Sequence, residues 1–179
     1  MKDEQLMLMV KKGKLDALSD LFERYNVRLY NFFLKLTHDS SLSQDLTQTV
    51  FERIIKYRGS FRNDSNFKAW IYQIARNVKT DHYRKNKVKL DDSVNVNELN
   101  LVTEPLHKEL EKVERRKAIE TAIKNLKPEY REVLLLGWFE KMSYAEVGEI
   151  LGLTIPNVKI RMHRAVKQLK KHFNTMTCL

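Results

Sequence analysis

Residues Ser143–Phe173 read SYAEVGEILGLTIPNVKIRMHRAVKQLKKHF. Ser143 and Glu146 have the capping-box spacing, in which the hydroxyl takes an orphan N–H and the carboxylate reaches back. Tyr144, Val147, Ile150 and Leu151 then recur at helical spacing. Gly152 is the expected stop, because only glycine enters the left-handed region without a Cβ penalty. Leu153 spans the turn, Thr154 can cap a second helix, and Pro156 fits a first turn that needs no N–H from it. Gly148 is small enough for the second helix to cross closely. Two helices joined by a tight glycine turn make a helix-turn-helix.

The second helix indicates its own use. At about 100° per residue, Val158, Met162, Ala165, Val166, Leu169 and Phe173 form one apolar stripe, the packed face. The opposite face carries Asn157, Ile160, His163, Arg164, Lys167 and Lys171. Between Pro156 and Lys171 stand Lys159, Arg161, Arg164, Lys167, Lys170 and Lys171, with no carboxylate among them. A solvated helix ordinarily mixes signs, so charge of one sign points to a polyanion. Ile160 sits one turn before Arg164 on the cationic face, where core packing gives it no role. On a helix lying in the major groove, an apolar side chain contacts a thymine methyl and arginine reads guanine.

Upstream, Pro128 opens PEYREVLLLGWFE, whose VLLL run calls for burial on most sides. Residues 108–126 show a modest helical stripe of Leu110, Val113, Ala118, Ala122 and Leu126. Before them, LDDSVNVNELNLVTEPLH (90–107) loses helical periodicity, carries Asp91, Asp92, Glu98 and Glu104, and ends near Pro105. That composition marks a linker between domains 1–89 and 108–179. It serves solubility, folds back on the basic domains, or tracks another basic channel.

The N-terminal half is helical too. Residues 3–12 form a short helix ending at Gly13. A long one follows over 15–38, with Leu15, Leu18, Phe22, Tyr25, Leu29, Phe32, Phe33 and Leu36 inward. Ser40–Ser43 caps a third, with Leu42, Leu46, Val50, Ile54 and Ile55 inward and Asp45, Gln48, Thr49, Glu52 and Arg53 outward. Residues 56–66, KYRGSFRNDSN, read as a loop in which Lys56, Arg58 and Arg62 alternate with Tyr57 and Phe61. Cations interleaved with aromatic rings suit single-stranded nucleic acid, which needs neutralised phosphates and stacking faces; alternatively, Phe61 anchors the loop on the core. An Asn66 cap starts the next helix, with Phe67, Trp70, Ile71, Ile74, Ala75 and Val78 as its apolar stripe. Tyr72, Arg76, Lys79, Thr80, Tyr83 and Lys87 fall on the far face, again aromatic and basic. Trp70 lies at the stripe's edge.

Composition sets the bounds. The chain has 179 residues, 42% of them hydrophobic, enough for one or two cored domains, and a formal net charge of +10 favours an anionic partner. One cysteine, Cys178, excludes a disulfide framework. No apolar run approaches the ~18 residues of a membrane span, and MKDEQLMLMVKKGK lacks the features of a signal peptide. A cytoplasmic, non-membrane protein is expected. His38, His82, His107, His163 and His172 are dispersed without ligand spacing, so neither a metal nor any other cofactor is expected. The expected fold is all-α, in two helical domains.

DLTQTVFERIIKYRGSF, FKAWIYQIARN and LKPEYREVLLLGWFEKMSYAEVGEILGLTIPNVKIRMHRAVKQLKK together resemble the signature stretches of sigma factors of the extracytoplasmic-function (ECF) group. The resemblance covers nearly the whole chain, in order. It implies a sigma-two and a sigma-four domain on a flexible linker and no catalysis. It also implies partners: core RNA polymerase, through its β′ coiled coil and β flap, and promoter DNA. Family members are commonly held inactive by an anti-sigma factor, so such a partner is a candidate here. Carried over by position, Asp45, Gln48, Thr49, Phe51 and Arg53 match the helix that docks on the β′ coiled coil. Lys56, Tyr57, Arg58, Phe61, Arg62 and Asn63 match the loop that captures a flipped base of the −10 element. Trp70, Gln73, Arg76, Asn77, Tyr83 and Arg84 match the helix that opens and holds that strand. Asn157, Lys159, Ile160, Arg161, His163, Arg164 and Lys167 match the helix that reads the −35 element. Ile160 replaces what is often a small polar residue, which implies a different −35 preference. Ile71 stands where housekeeping sigma factors carry a second melting aromatic, which implies a narrow promoter set. No N-terminal inhibitory region is expected.

Two other classes compete. A polymerase-independent helix-turn-helix regulator accounts for the C-terminal motif but not for the aromatic and basic face of the N-terminal half. Such regulators also usually dimerise to match two half-sites; with no long heptad seam here, the free chain is expected to be a monomer. A nucleic-acid enzyme needs clustered carboxylates or a His/Cys constellation, and the carboxylates here are scattered.

Overall fold

The computed structural model describes residues 1–87 and 117–177, and every regular element among them is helical. The chain divides into two compact units, Met1–Val96 and Asn97–Leu179. Their boundary falls within 90–107; that stretch, with Leu110 and Val113, lies outside the described residues.

The N-terminal unit contains α1 (Asp3–Lys11), α2 (Ala17–Thr37), α3 (Ser40–Tyr57) and α4 (Phe67–Lys87). In it α1 packs on α2, α2 on α3 and α3 on α4, and α1 closes back onto α4. The apolar stripes meet in one core: Leu6 and Val10, Leu21, Leu29 and Phe33, Val50 and Ile54, Ile71 and Val78 are all buried. Each such side chain contributes about 1.5–3 kcal/mol. Tyr25 is buried with them, and its hydroxyl donates to Asp3 Oδ2 at 2.6 Å. Asp3 also pairs with Arg24 at 2.6 Å, so one carboxylate ties α1 to α2. Burial, then the adjacent Asp3, holds the Tyr25 phenol well above its ordinary pKa.

Several details differ from expectation. Leu15 is half exposed, because α2 begins only at Ala17, and Phe22 and Ile55 lie at the rim of the core rather than within it. His38, at φ 57°, closes α2. Asp39, not Ser40–Ser43, caps α3: its carboxylate accepts the Leu42 N–H at 2.9 Å. Ser43 is buried and bonds the Asp39 carbonyl, with the Thr37 hydroxyl 3.0 Å away. Lys56 and Tyr57 belong to the end of α3; a 3₁₀ turn (Arg58–Ser60) precedes the irregular stretch 61–66. The Asn66 cap is present, its Oδ1 accepting the Ala69 N–H at 3.1 Å.

The C-terminal unit comprises α5 (117–124), α6 (Pro128–Leu134), a π turn (Leu135–Phe139), α7 (Tyr144–Leu151) and α8 (Ile155–Thr177). Both α6 and α7 pack on α8. Leu134, Leu135 and Leu136 are buried, with Ala122, Ile123 and Leu126 from the preceding stretch. Arg131 closes α5 by donating to the carbonyls of Ile123 at 3.1 Å and Leu126 at 3.0 Å, which satisfies acceptors a helix end leaves open. Gly137 lies in the π turn, and a Cβ there would lie 2.4 Å from the Met162 Cε of α8.

The turn of the helix-turn-helix is as read. The Ser143–Glu146 capping box is formed, and Gly152 is left-handed at φ 66°. The N–H groups of Gly152 and Leu153 both donate to the Gly148 carbonyl, Leu153 at 2.8 Å. The bond from Leu153 is the 6→1 closure found where a helix ends at a left-handed glycine. Gly148 has a sharper role than expected. A Cβ there would meet the Leu153 carbonyl oxygen at 2.6 Å, whereas Val158 of α8 stands at 3.7 Å. Its smallness admits the returning turn itself, more than the crossing helix.

Candidate nucleic-acid and polymerase surfaces

On α8, Val158, Met162 and Ala165 are buried, and Val166, Leu169 and Phe173 are half-buried. The packed face fixes the other one. Asn157, Lys159, Ile160, His163, Arg164 and Lys167 all lie exposed, with Arg161 half-buried at their edge. Lys159, Arg161, Arg164 and Lys167 form no ion pair among the described residues. Ile160 is 49% exposed within this field. Burial of one stripe therefore presents an exposed cationic ridge, unpaired among the described residues, with one apolar residue in it, the composition a major-groove helix needs.

In the N-terminal unit α4 and the segment before it present a second surface. Gln73 and Arg76 are half-buried, while Asn77, Tyr83 and Arg84 are exposed along one side of the helix. Arg62 and Asn63 project from the 61–66 segment, Arg62 pairing with Asp64 at 3.2 Å. Tyr57 is exposed, with the Lys56 ammonium 5.5 Å from its ring centre, and Arg58 donates to the Ile55 carbonyl. Trp70 is half-buried, edge-on to Phe61 at 5.2 Å.

Two sequence-based assignments change here. Phe61 is fully buried against Phe67 and Trp70, so it anchors the segment and offers no face to a base. Tyr72 is buried, edge-on to Phe32 at 5.2 Å, and is not on the far face of α4. Ile71 is fully buried, in keeping with its place on the apolar stripe of α4. The helical wheel located Tyr72 only to within one residue of the stripe's border, where the packing of α2 decides.

On α3, Asp45 and Gln48 are exposed and Thr49 is half-buried, its hydroxyl donating to the Asp45 carbonyl at 2.8 Å. Gln48 reaches Glu52 at 3.2 Å along the same side. Phe51 is buried, its ring 4.8 Å from that of Phe22, so it supports this face from beneath. Arg53 is not free to serve as a docking cation: its Nη2 lies 2.8 Å from Asp81 Oδ2 of α4. Asp81 also pairs with Arg84 at 3.0 Å. The hydrogen bond from Arg53, outweighing slight desolvation, holds the Asp81 carboxyl below its ordinary pKa. Asp81 carried no sequence signal beyond its charge; only the packing of α3 on α4 reveals it.

A helical unit with an aromatic and basic strip, joined to a second unit that ends in a helix-turn-helix with a cationic outer face, defines a two-domain DNA-binding transcription protein. Among the described residues no helix is long and apolar enough to cross a membrane. Comparison with known proteins agrees with this class. Sigma-70 region 2 matches residues 21–88, and the "Sigma-70, region 4" family matches residues 116–169. The ECF RNA polymerase sigma factor SigM of Bacillus subtilis (strain 168) is 30% identical over 161 residues, covering 88% of this chain and 96% of that one. SigW of the same organism is 30% identical over 176 residues, covering 93% and 94%. The solved structure of CnrH in complex with the cytosolic domain of CnrY superposes with a TM-score of 0.71 at 23% identity, covering 97% of each chain.

The chain belongs to the ECF group of RNA polymerase sigma factors. It is an alternative sigma factor, whose partners are core RNA polymerase and promoter DNA.

Proposed function

We propose that each surface serves one step of initiation. The outer side of α3, at Asp45, Gln48 and Thr49 with Phe51 beneath, docks on the β′ coiled coil of core polymerase. Arg62, Asn63 and the Gln73–Arg84 side of α4, with Trp70 at its edge, hold the −10 strand. The cationic ridge of α8 reads the −35 element. Residues 1–89 and 108–179 act as the two domains and 90–107 as their tether, with the β flap receiving the second. The protein works in the cytoplasm and catalyses nothing itself; the chemistry of RNA synthesis belongs to the polymerase. An anti-sigma partner is proposed by analogy with the sigma factor RpoE of Bartonella quintana, solved in complex with the anti-sigma factor NepR.

The observation that carries this reading is the exposed cationic ridge of α8. The docking surface has a separate test. Asp45 is exposed, so Asp45→Arg should change stability by no more than about 0.5 kcal/mol. Its affinity for core polymerase, measured by titration of labelled protein, should nevertheless fall at least tenfold. Unchanged affinity would remove this side of α3 from the interface.

A further inference from the structure

The segment that carries Arg62 and Asn63 has no regular structure of its own, yet both of its ends are fixed. Phe61 before it and Phe67 after it are fully buried, with ring centres 6.1 Å apart. Beyond this apolar anchorage, each end receives one charged side chain, and both come from α1. Lys11, in the last turn of α1, donates its Nζ–H to the carbonyl of Phe61 at 2.6 Å. Glu4, in the first turn, accepts the N–H of Phe67 at 3.3 Å. Phe67 is the first residue of α4, so Glu4 also places a carboxylate at a helix N-terminus, where it is favoured. Lys11 and Glu4 lie seven positions apart on α1, two helical turns and one side. The helix packs against both the 3₁₀ turn before the segment and α4 after it. It also lies outside the region matched by the sigma-70 region 2 family, which begins at residue 21.

We propose that α1 is the brace that holds the 61–67 loop in its reading shape, with Lys11 and Glu4 as positioning residues for −10 base selection. This rests on the reading of that loop as a −10 contact. An irregular segment of five residues between anchors has many backbone shapes. Fixing one carbonyl and one N–H with charge-assisted bonds selects among them, and it costs no entropy at the moment DNA arrives. Neither side chain needs to touch DNA. Their effect falls on selectivity, through the placement of Arg62 and Asn63.

The test uses full-length protein assembled with core polymerase. Single-stranded oligonucleotides randomised over the −10 region are selected by wild-type holoenzyme, and the base preference at each position is recorded. Lys11→Met keeps the aliphatic stem and removes the donor; Glu4→Gln keeps the shape and weakens the acceptor. Each should reduce preference by about threefold to tenfold at the position that Arg62→Ala or Asn63→Ala also affects, the size of one hydrogen bond. Core affinity should stay unchanged, and Lys11→Arg should restore the preference. Should Lys11→Met fail to fold, amide hydrogen exchange in the wild type decides: residues 61–67 should exchange as slowly as the ends of α4. Normal selectivity in Lys11→Met and Glu4→Gln, with Arg62→Ala or Asn63→Ala defective, overturns the brace and leaves the loop reading standing. If no loop or α1 variant alters selectivity, the loop reading falls and the brace with it.

Discussion

Arg164 and Ile160 stand one turn apart on the exposed side of α8, while Lys167 continues the same ridge. Their chemistry predicts separable effects. Arg164→Ala should cost roughly 1–3 kcal/mol at preferred sites and relax selection at one −35 position. Ile160→Ser should shift preference at a neighbouring position without changing salt dependence, because no charge is removed. Lys167→Ala should weaken all DNA alike and flatten the salt slope by about one phosphate's worth. Binding of the 108–179 fragment to a panel of −35 variants at several salt concentrations measures all three. A uniform loss for Arg164→Ala would make that residue a phosphate contact and move base reading to Lys159 or His163. Tyr25 gives a test of a different kind. Its folded-state pKa is raised, so its contribution to stability is complete below its ordinary value of 10.0 and is lost as pH rises toward the folded value. Denaturant titrations should therefore show the N-terminal unit weakening above about pH 10, and Tyr25→Phe should remove that part of the decline. Residue identity made the α8 ridge legible in advance, because one-signed charge survives any small error in helical phase. The same phase error misplaced Tyr72, and burial of Phe61 depended on Phe67 and Trp70, which the sequence does not bring together by itself.

Among the elements, the two close glycines predict losses of different size. At Gly148 an added Cβ would strike the Leu153 carbonyl oxygen, a backbone atom that the turn cannot move. Gly148→Ala should destabilise the C-terminal unit by about 1–3 kcal/mol and weaken −35 binding in proportion. At Gly137 the obstacle is the far end of Met162, which can swing aside, so Gly137→Ala should be the milder change. Thermal melts of both variants rank them; equal losses would mean that the turn's close approach is not what Gly148 provides. The capping box and the Gly152 stop were readable because each is a local device, complete within a few residues. The Arg53–Asp81 pair was not, since its members sit on α3 and α4 and meet only after packing. Asp81 has a lowered carboxyl pKa, so its stabilisation is present above the ordinary value of 3.8 and fades as pH falls through the lower folded value. Asp81→Asn should flatten the acid limb of the stability curve while loosening Arg84 for DNA.

At the scale of the whole molecule, a sigma factor must bring promoter-reading and polymerase-docking surfaces to the same assembly. The all-helical character and the two-part division were legible because amphipathic stripes recur on both sides of an acidic, non-periodic stretch. Each part has its own buried core, so fragments 1–90 and 108–179 should fold separately, each with cooperative melting. A fragment that melts without cooperativity would show that its partner contributes to its core. The central claim is that this chain confers promoter choice on a polymerase that lacks it. Run-off transcription with purified core polymerase on a genomic DNA library tests it most directly. Adding the wild-type protein should yield discrete start sites whose upstream DNA shares a −10 and a −35 element, and Asp45→Arg should abolish them. Transcripts no different from those of core polymerase alone, under conditions where the protein still binds DNA selectively, would contradict the account.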